Sequence, residues 1–415
     1  MGKVVNLRDF YKPHKGQLRV HLSPARWKIL SCGARWGKDR ASIMEMIWTV
    51  LWLGSQPRPA SLVPKVLAWY VAPTYQMARQ GWRELLTITA RLGIQKGVQR
   101  KDYIIYLPND IVIEVKSADR PETLKAVGLD VLVMTESALV PEEAWYESLQ
   151  PRLISPHRLG KAILNSTPRG KNWFYEIFQA GLQDGKFIAS FHAPTWENPY
   201  IPKEEIEHLR QTMPPHKFAQ EIEAKFVTNE QYIFLDYLYS NFILPREEGP
   251  KPTAKYIAGV DFGRVDDFTA VAIFEVQGSV YYMRDYLLIR HESYGEIMNR
   301  VVALLKKWNV SYVAVESVAF QEVLIDELAS KVKTHVAKIT TTATNRNDMI
   351  DKVVLKMSSK ELFMIDSDEL REHFKYVSWD GNKYKHDKGK HDDMMMATAL
   401  ALYKKPSQPL VYSGI

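Results

Sequence analysis

The sequence predicts two α/β domains in series, the first on a mostly parallel sheet with flanking helices, the second on a mixed sheet. Two observations carry this. Residues 66–168 alternate apolar runs with helical stretches, and the runs end in short polar loops, as parallel strands do when they present ligands at their C-terminal ends. Residues 236–255, DYLYSNFILPREEGPKPTAK, crowd Pro245, Gly249, Pro250 and Pro252 among charges and read as a linker. A fresh β-rich stretch begins after it. The expected boundaries are therefore a first domain over 1–235, a linker over 236–255 and a second domain over 256–415.

Composition sets the outer limits. The chain has 415 residues, 46% of them apolar, and a net charge of +7. That supports a sizeable core and permits an acidic polymer as partner. One cysteine, Cys32, excludes an internal disulfide and any multi-cysteine zinc site, and suits a reducing cytoplasm. The opening MGKVVNLRDFYKPHKG is polar and charged, so no secretory signal is expected. The most apolar window, IMEMIWTVLWLG at 43–54, is too short to span a bilayer and carries Glu45. It reads as a buried helix, and no membrane role is expected.

In the first domain, SCGARWGKDRAS (31–42) resembles a phosphate-binding loop running into a helix. The backbone of 33–38 (Gly33, Ala34, Arg35, Trp36, Gly37, Lys38) is expected to wrap phosphates. Lys38 falls on the β/γ oxygens and Arg35 near the γ-phosphate, with Asp39 and Arg40 following. The pattern asks for a hydroxyl after the lysine, and Asp39 stands there; the glycine spacing is one residue short. Upstream, Gln17 offers an amide to adenine. VLAWYVAP (66–73) is a strand before a helix. DYIIYLPNDIVIEVK (102–116) is a hairpin about Pro108-Asn109-Asp110. DVLVMTES (130–137) is a strand ending in Glu136, placed to orient an attacking water. KAILNSTP (161–168) ends in Ser166-Thr167-Pro168, polar residues able to sense a γ-phosphate. A carboxylate usually precedes the catalytic glutamate, and here it is Thr135. Asp39 and Thr135 thus look exchanged, one carboxylate and one hydroxyl still facing an ATP-bound Mg²⁺ from opposite sides.

In the second domain, KYIAGVDFG, DFTAVAIFEV and SVYYMRDYLLI form a three-strand meander. A helix (294–307), the strand SYVAVES (311–317), another helix and a last helix from about Asp392 follow. That is the order of a ribonuclease H-like domain. Asp261 and Glu316 lie in apolar strands, where a carboxylate must be satisfied by a metal or a hydrogen bond. With Asp392 and Asp393 they suit two Mg²⁺ or Mn²⁺ ions hydrolysing a phosphodiester; Asp267 is a possible further ligand. Against this, the Asp392/Asp393 pair also suits a plain helix N-cap, and Asp266 and Asp267 suit a turn. The run WDGNKYKHDKGKH (379–391) interleaves Lys383, Lys385, Lys388 and Lys390 with Trp379 and Tyr384. It reads equally as a DNA-backbone contact or a solvated hairpin.

Taken together, GARWGK, VAPTYQMARQGW, SADRPETLKAVGLDVLVMTES, LNSTPRGKNWFY, PTWENPY, GVDFGRVDDFTA, VAVES and HDDMMMATALA, in this order over residues 12–402, resemble the large terminase subunit of tailed bacteriophages. The resemblance implies an additional-strand P-loop ATPase followed by a ribonuclease H-like nuclease. It implies ATP-driven translocation of double-stranded DNA into a procapsid, with endonucleolytic cuts at initiation and termination. It implies a portal protein and a small terminase subunit as partners, a homo-oligomeric ring on the portal with a monomer in solution as the alternative, and residence in the host cytoplasm and transiently on the procapsid, outside the mature virion. Carried over by position, Lys38 and Arg35 contact phosphates, Glu136 is the catalytic glutamate, and Ser166-Thr167-Pro168 is the coupling motif. Asp261, Glu316, Asp392 and Asp393 are the nuclease metal ligands. Where relatives place a trans-acting arginine, this chain has Lys125, with Arg79 and Arg120 as alternatives. Rival readings are a nuclease whose degenerate P-loop domain is an assembly scaffold, and a repair-type helicase-nuclease, which the absence of a second motor domain disfavours.

Overall fold

The computed structural model describes residue 7 and residues 10–125, 127–227, 232–263, 267–317 and 322–403. The chain divides into two compact units, Met1–His208 with Lys217–Val227, and Leu209–His216 with Thr228–Ile415. Among the described residues no helix is long and apolar enough to cross a membrane.

The first unit is built on eight strands: β1 Trp27–Cys32, β2 Val66–Ala72, β3 Gly97–Gln99, β4 Ile104–Leu107, β5 Ile111–Ser117, β6 Val131–Thr135, β7 Lys161–Ser166 and β8 Ile188–Ala193. Their order is β3-β4-β5-β2-β6-β7-β1-β8. Every pair from β5 to β8 is parallel; β3 and β4 add an antiparallel edge. The β4–β5 turn places Asn109 and Asp110 at φ 62° and 55°, the left-handed pair that a tight hairpin turn demands. β7 stands between β1, which feeds the Gly-Lys loop, and β6, which ends beside Glu136. This interposed strand is the additional-strand arrangement of P-loop NTPases.

Alternation along the strands loads both faces of the sheet. Ile29 packs with Trp145 and Phe174 on one side. Its neighbour Leu30 packs on the other with Ile43, Ile47 and Trp82, from helices α2 (Lys38–Ser55) and α3 (Tyr75–Arg91), which follow a first helix α1 (Lys15–Leu22). The expected buried helix is therefore present in α2, but it is not buried all round. Trp48 and Trp52, one turn apart, are 50% and 45% exposed and stack on each other with centroids 6.5 Å apart.

The second unit holds β9 Phe242–Leu244, β10 Lys255–Asp261, β11 Thr269–Gln277, β12 Val280–Ile289, β13 Tyr312–Glu316, β14 His335–Ile339 and β15 Leu362–Ile365, with a separate hairpin of β16 Val377–Trp379 and β17 Tyr384–His386. The sheet order is β14-β13-β10-β11-β12-β15-β9. β10, β11 and β12 form the antiparallel meander, and β13 and β14 extend it in parallel. The helix Tyr294–Lys307 starts at Ser293, whose hydroxyl accepts the Glu296 N–H. This is the ribonuclease H-like order.

The stretch read as a linker departs from that reading. Residues 242–244 form the edge strand β9, pairing with β15, and Leu238 and Phe242 are buried. The buried Asn241 amide donates to the carbonyls of Met357 and Leu362. The prolines punctuate the later residues of the stretch, while the apolar first half is drawn into the core.

Gly259 sets the position of the last helix, Asp393–Leu402. A Cβ there would stand 1.9 Å from the Ala397 carbonyl oxygen, so only glycine lets helix and strand approach this closely. That contact brings the helix N-terminus toward the C-terminal end of β10. Gly259→Ala is expected to destabilise the second unit by about 3 kcal/mol, read as a lower melting temperature together with weaker Mn²⁺-dependent DNA cleavage.

Candidate active sites

The Gly-Lys loop connects β1 to α2. Arg35 and Gly37 take φ of 61° and 95°, and Gly37 is the N-cap of α2. The first N–H groups of a helix lack intrahelical partners and suit an anion. The Lys38 ammonium lies 3.0 Å from Glu136 Oε1 and 3.4 Å from Thr167 Oγ1. Burial works against its charge, but Glu136 and Asp39 outweigh it and hold its pKa above the usual lysine range. Glu136 itself sits at φ 47°, a left-handed conformation uncommon outside glycine and concentrated at functional sites. Ser166 Oγ is 3.4 Å from Glu136 Oε2. Lys38, Glu136 and Thr167 share a cleft of about 570 Å³ with Arg35, Asp39, Arg40 and Arg169, and the buried Ser166 lies behind it. The structure thus gathers Lys38, Glu136, Ser166 and Thr167 at the C-terminal ends of adjacent strands.

Two details correct the sequence reading. Gly33 and Ala34 do not offer their N–H groups to a phosphate, because they donate to the carbonyls of Ala193 and Glu221 at 2.8 and 2.7 Å. Gln17 is turned to the loop: its Oε1 accepts the His14 N–H and its Nε2 donates to the Gly37 carbonyl at 3.0 Å. The amide proposed for adenine is here a brace.

Further braces come from PTWENPY, to which the sequence assigned no individual roles. Thr195 Oγ1 donates to the Ala34 carbonyl and Asn198 Nδ2 to the Arg35 carbonyl, both at 2.7 Å. Trp36 Nε1 donates to Glu197 Oε2 at 3.3 Å. Arg40 pairs with Glu84 at 2.9 Å and lies over the rings of Phe10 and Tyr11. Asp39 and Thr135 meet directly, with Thr135 Oγ1 donating to Asp39 Oδ1 at 2.5 Å. Among the candidate trans-acting cations, Arg79 and Arg120 are exposed, and Lys125 pairs with Glu147 at 3.5 Å.

In the second unit, Val260 and Val315 are register partners, so Asp261 and Glu316 end neighbouring parallel strands. Asp392 and Asp393 arrive on the last helix. Burial, then Glu316, Asp393 and Asp392, push Asp261 well above the ordinary carboxylate range. Burial and Asp392 raise Asp393 to about 7, with Asp267 adding to the rise. Asp392 makes no side-chain cap bond, so capping does not explain it. Its Oδ2 is instead held by Arg346 Nη2 at 2.5 Å, a partner the sequence reading missed. Asp393 Oδ2 is buried without a hydrogen-bond partner. The ring nitrogens of His373 and His391 lie 3.8 and 3.6 Å from that oxygen, and burial, then His391, push His373 down to about 4.

An Asp393 oxygen with no hydrogen-bond partner and the raised pKa values of Asp261 and Asp393, in a set of hard oxygen donors, fit a divalent cation such as Mg²⁺ or Mn²⁺. Yet among the described residues no three His, Cys, Asp or Glu side chains are arranged to close around an ion as they lie. Asp267 is exposed, and Asp266 lies outside the described residues.

The basic run 379–391 is a hairpin whose aromatic residues are not a stacking surface. Trp379 and Tyr384 are 3% and 6% exposed and pack on each other with centroids 4.8 Å apart. The Tyr384 hydroxyl donates to Asp351 Oδ1 at 2.6 Å. Lys385 pairs with Asp380 at 2.6 Å, and Lys390 lies over the Tyr376 ring.

These two units define a class: a P-loop NTPase-type domain followed by a ribonuclease H-like domain. Within that class, the resemblance to phage large terminase subunits holds along the chain. Residues 258–405 match the family model described as the Terminase RNaseH-like domain. The large terminase subunit of Thermus virus P23-45 is 26% identical, over 94% of this chain and 87% of that protein. The solved large terminase of a thermophilic bacteriophage shares the fold, with a TM-score of 0.57 at 16% identity over 94% of this chain and 98% of that one. The same phage protein in complex with ADP aligns with a TM-score of 0.55 at 16% identity, with the same coverage of both chains.

Proposed function

We propose that the chain is the motor-nuclease subunit of a viral DNA-packaging machine. ATP hydrolysis in the first unit drives double-stranded DNA into a procapsid, and a two-metal endonuclease in the second cuts concatemeric DNA at initiation and termination. The observation that carries the proposal is the meeting of Lys38, Glu136 and Thr167 in one cleft. The likeness to large terminases along the chain, one of them crystallised with ADP, supports it. A portal protein and a small terminase subunit are the proposed partners. A ring on the portal is the proposed assembly, in the host cytoplasm.

The Lys38–Glu136 pair suggests how hydrolysis is held back until substrate arrives. Without nucleotide, Glu136 is tied to Lys38. Phosphate oxygens in the cleft compete for that ammonium, and Glu136 is released to orient a water and accept its proton. Ser166 and Thr167 touch Glu136 and Lys38 respectively, so they report the exchange to β7. In the second unit Asp261, Glu316, Asp392 and Asp393 would hold the metal. Bound there, divalent ions supply an activated hydroxide and stabilise the leaving oxygen.

The test is ATP hydrolysis by wild type, Lys38→Ala and Glu136→Ala, with and without DNA, while plasmid cleavage with Mn²⁺ is followed in the same samples. Both substitutions are expected to lower hydrolysis by at least about a hundredfold and leave cleavage unchanged. Cleavage by a wild type that binds and hydrolyses no ATP would favour a nuclease with a scaffolding first domain.

A further inference from the structure

We propose that Asn165 is a positioning residue of the nucleotide site, which exchanges a hydrogen bond between α2 and β6 for one between β6 and β7 when Asp39 is engaged by the nucleotide's cation. Asn165 lies on β7 and is fully buried, one residue before the polar tip of the strand. Its Nδ2 donates to Ser42 Oγ at 2.9 Å. Ser42 in turn donates to the Lys38 carbonyl at 2.8 Å, in the first turn of α2. That spends the only Ser42 proton, so Ser42 must accept from an amide N–H, which fixes the orientation of Asn165. The amide oxygen therefore faces Thr135, with Oδ1 3.2 Å from Thr135 Oγ1.

Thr135 has one hydroxyl proton, with a carboxylate and an amide oxygen within reach, and the buried Tyr70 hydroxyl is a third hydrogen-bond partner. Asp39 Oδ1 is at 2.5 Å and Asn165 Oδ1 at 3.2 Å. A hydroxyl serves one of them at a time. Without a cation the shorter, charge-assisted bond to Asp39 wins. Once a cation engages Asp39, that carboxylate is the poorer acceptor and the proton turns to Asn165. The consequence falls on β7, whose next two residues reach Glu136 and Lys38. Burial makes the choice consequential, because an unsatisfied polar group here costs more than at the surface. The role of Asn165 rests on the nucleotide reading given above.

The experiment uses the full chain and methylanthraniloyl-ADP, whose fluorescence reports binding in EDTA and in Mg²⁺. Asn165→Leu removes both amide contacts at similar volume. Thr135→Val removes the hydroxyl alone and keeps its shape. Wild type is expected to bind more tightly in Mg²⁺ than in EDTA. Asn165→Leu is expected to bind within about twofold of wild type in EDTA and to lose about tenfold of the Mg²⁺-dependent gain. Thr135→Val should lose a similar share, and the double variant no more than either single one, because the two act through one bond. Thermal melting of each variant shows whether it folds.

A purely structural amide would weaken binding equally in EDTA and Mg²⁺, and that result overturns the proposal. So do additive losses in the double variant. Should Asn165→Leu fail to fold, Thr135→Val together with Ser42→Ala decides it: an unchanged Mg²⁺ gain in both rejects the relay. A wild type that binds no methylanthraniloyl-ADP under either condition rejects the nucleotide reading itself, a different outcome from a wild type that binds while Asn165→Leu matches it.

Discussion

Asp261→Asn is expected to reduce DNA cleavage by about a thousandfold and to leave ATP hydrolysis within about twofold of wild type. Asp261 is the most deeply buried of the four acids and ends the strand on which the last helix docks through Gly259. The same substitution has a stability signature that a structural aspartate would not show. Burial, then Glu316, Asp393 and Asp392, raise its pKa, so the folded chain binds that proton more tightly than the unfolded one. Its contribution to stability is complete below the unfolded-state pKa and is lost as pH rises through the folded-state value. Above that value the charge opposes folding. In EDTA at neutral pH the variant should therefore be more stable than wild type by roughly 1 kcal/mol or more, the gap closing toward about pH 4. Mn²⁺ should raise the melting temperature of wild type and move that of the variant far less. A variant that melts below wild type in EDTA would show that Asp261 serves the fold. Cleavage at the wild-type rate would remove it from the reaction.

What was legible in the sequence is what is local. An acid at the end of an apolar run, a Gly-Lys turn before a helix, and a meander before alternating helices and strands are patterns within a few residues. They suffice for both folds and for the meeting of Lys38 with Glu136. What escaped depends on partners far apart in the chain. Asn198 holds the carbonyl of Arg35 from 163 residues away, Asn165 reaches Ser42 across 123, and Arg346 reaches Asp392 across 46. Asp130 was passed over as the first residue of a strand run, yet it is fully buried between Arg58 at 2.6 Å and Arg158 at 2.5 Å. Removing one partner from such a cluster costs about 3–5 kcal/mol, which no local pattern announces. Trp379 and Tyr384 show the converse. Aromatics among lysines look alike whether they stack on bases or fill a hairpin, and only packing separates the two.

Exchanging Asp39 and Thr135 tests the unorthodox loop most directly. The two are hydrogen-bonded at 2.5 Å, so each single change has a defined fault. Thr135→Asp sets two carboxylates opposite each other beside Glu136, and repulsion should raise a pKa or force them apart. Asp39→Thr leaves two hydroxyls and no carboxylate for an ATP-bound Mg²⁺, and it also removes one of the two acids that hold the Lys38 charge. Each is expected to lower kcat for ATP by about a hundredfold. The double variant restores one carboxylate and one hydroxyl, and its kcat should return to within about tenfold of wild type. Its recovery should be incomplete, because a carboxylate at 135 faces the Asn165 amide, whose oxygen is turned toward it. The measurement is steady-state ATP hydrolysis in Mg²⁺ for all four proteins. A double variant no better than either single one means that the two positions do not share an ion. Asp39 would then act by pairing with Thr135 alone, holding β6 against α2 beside Glu136.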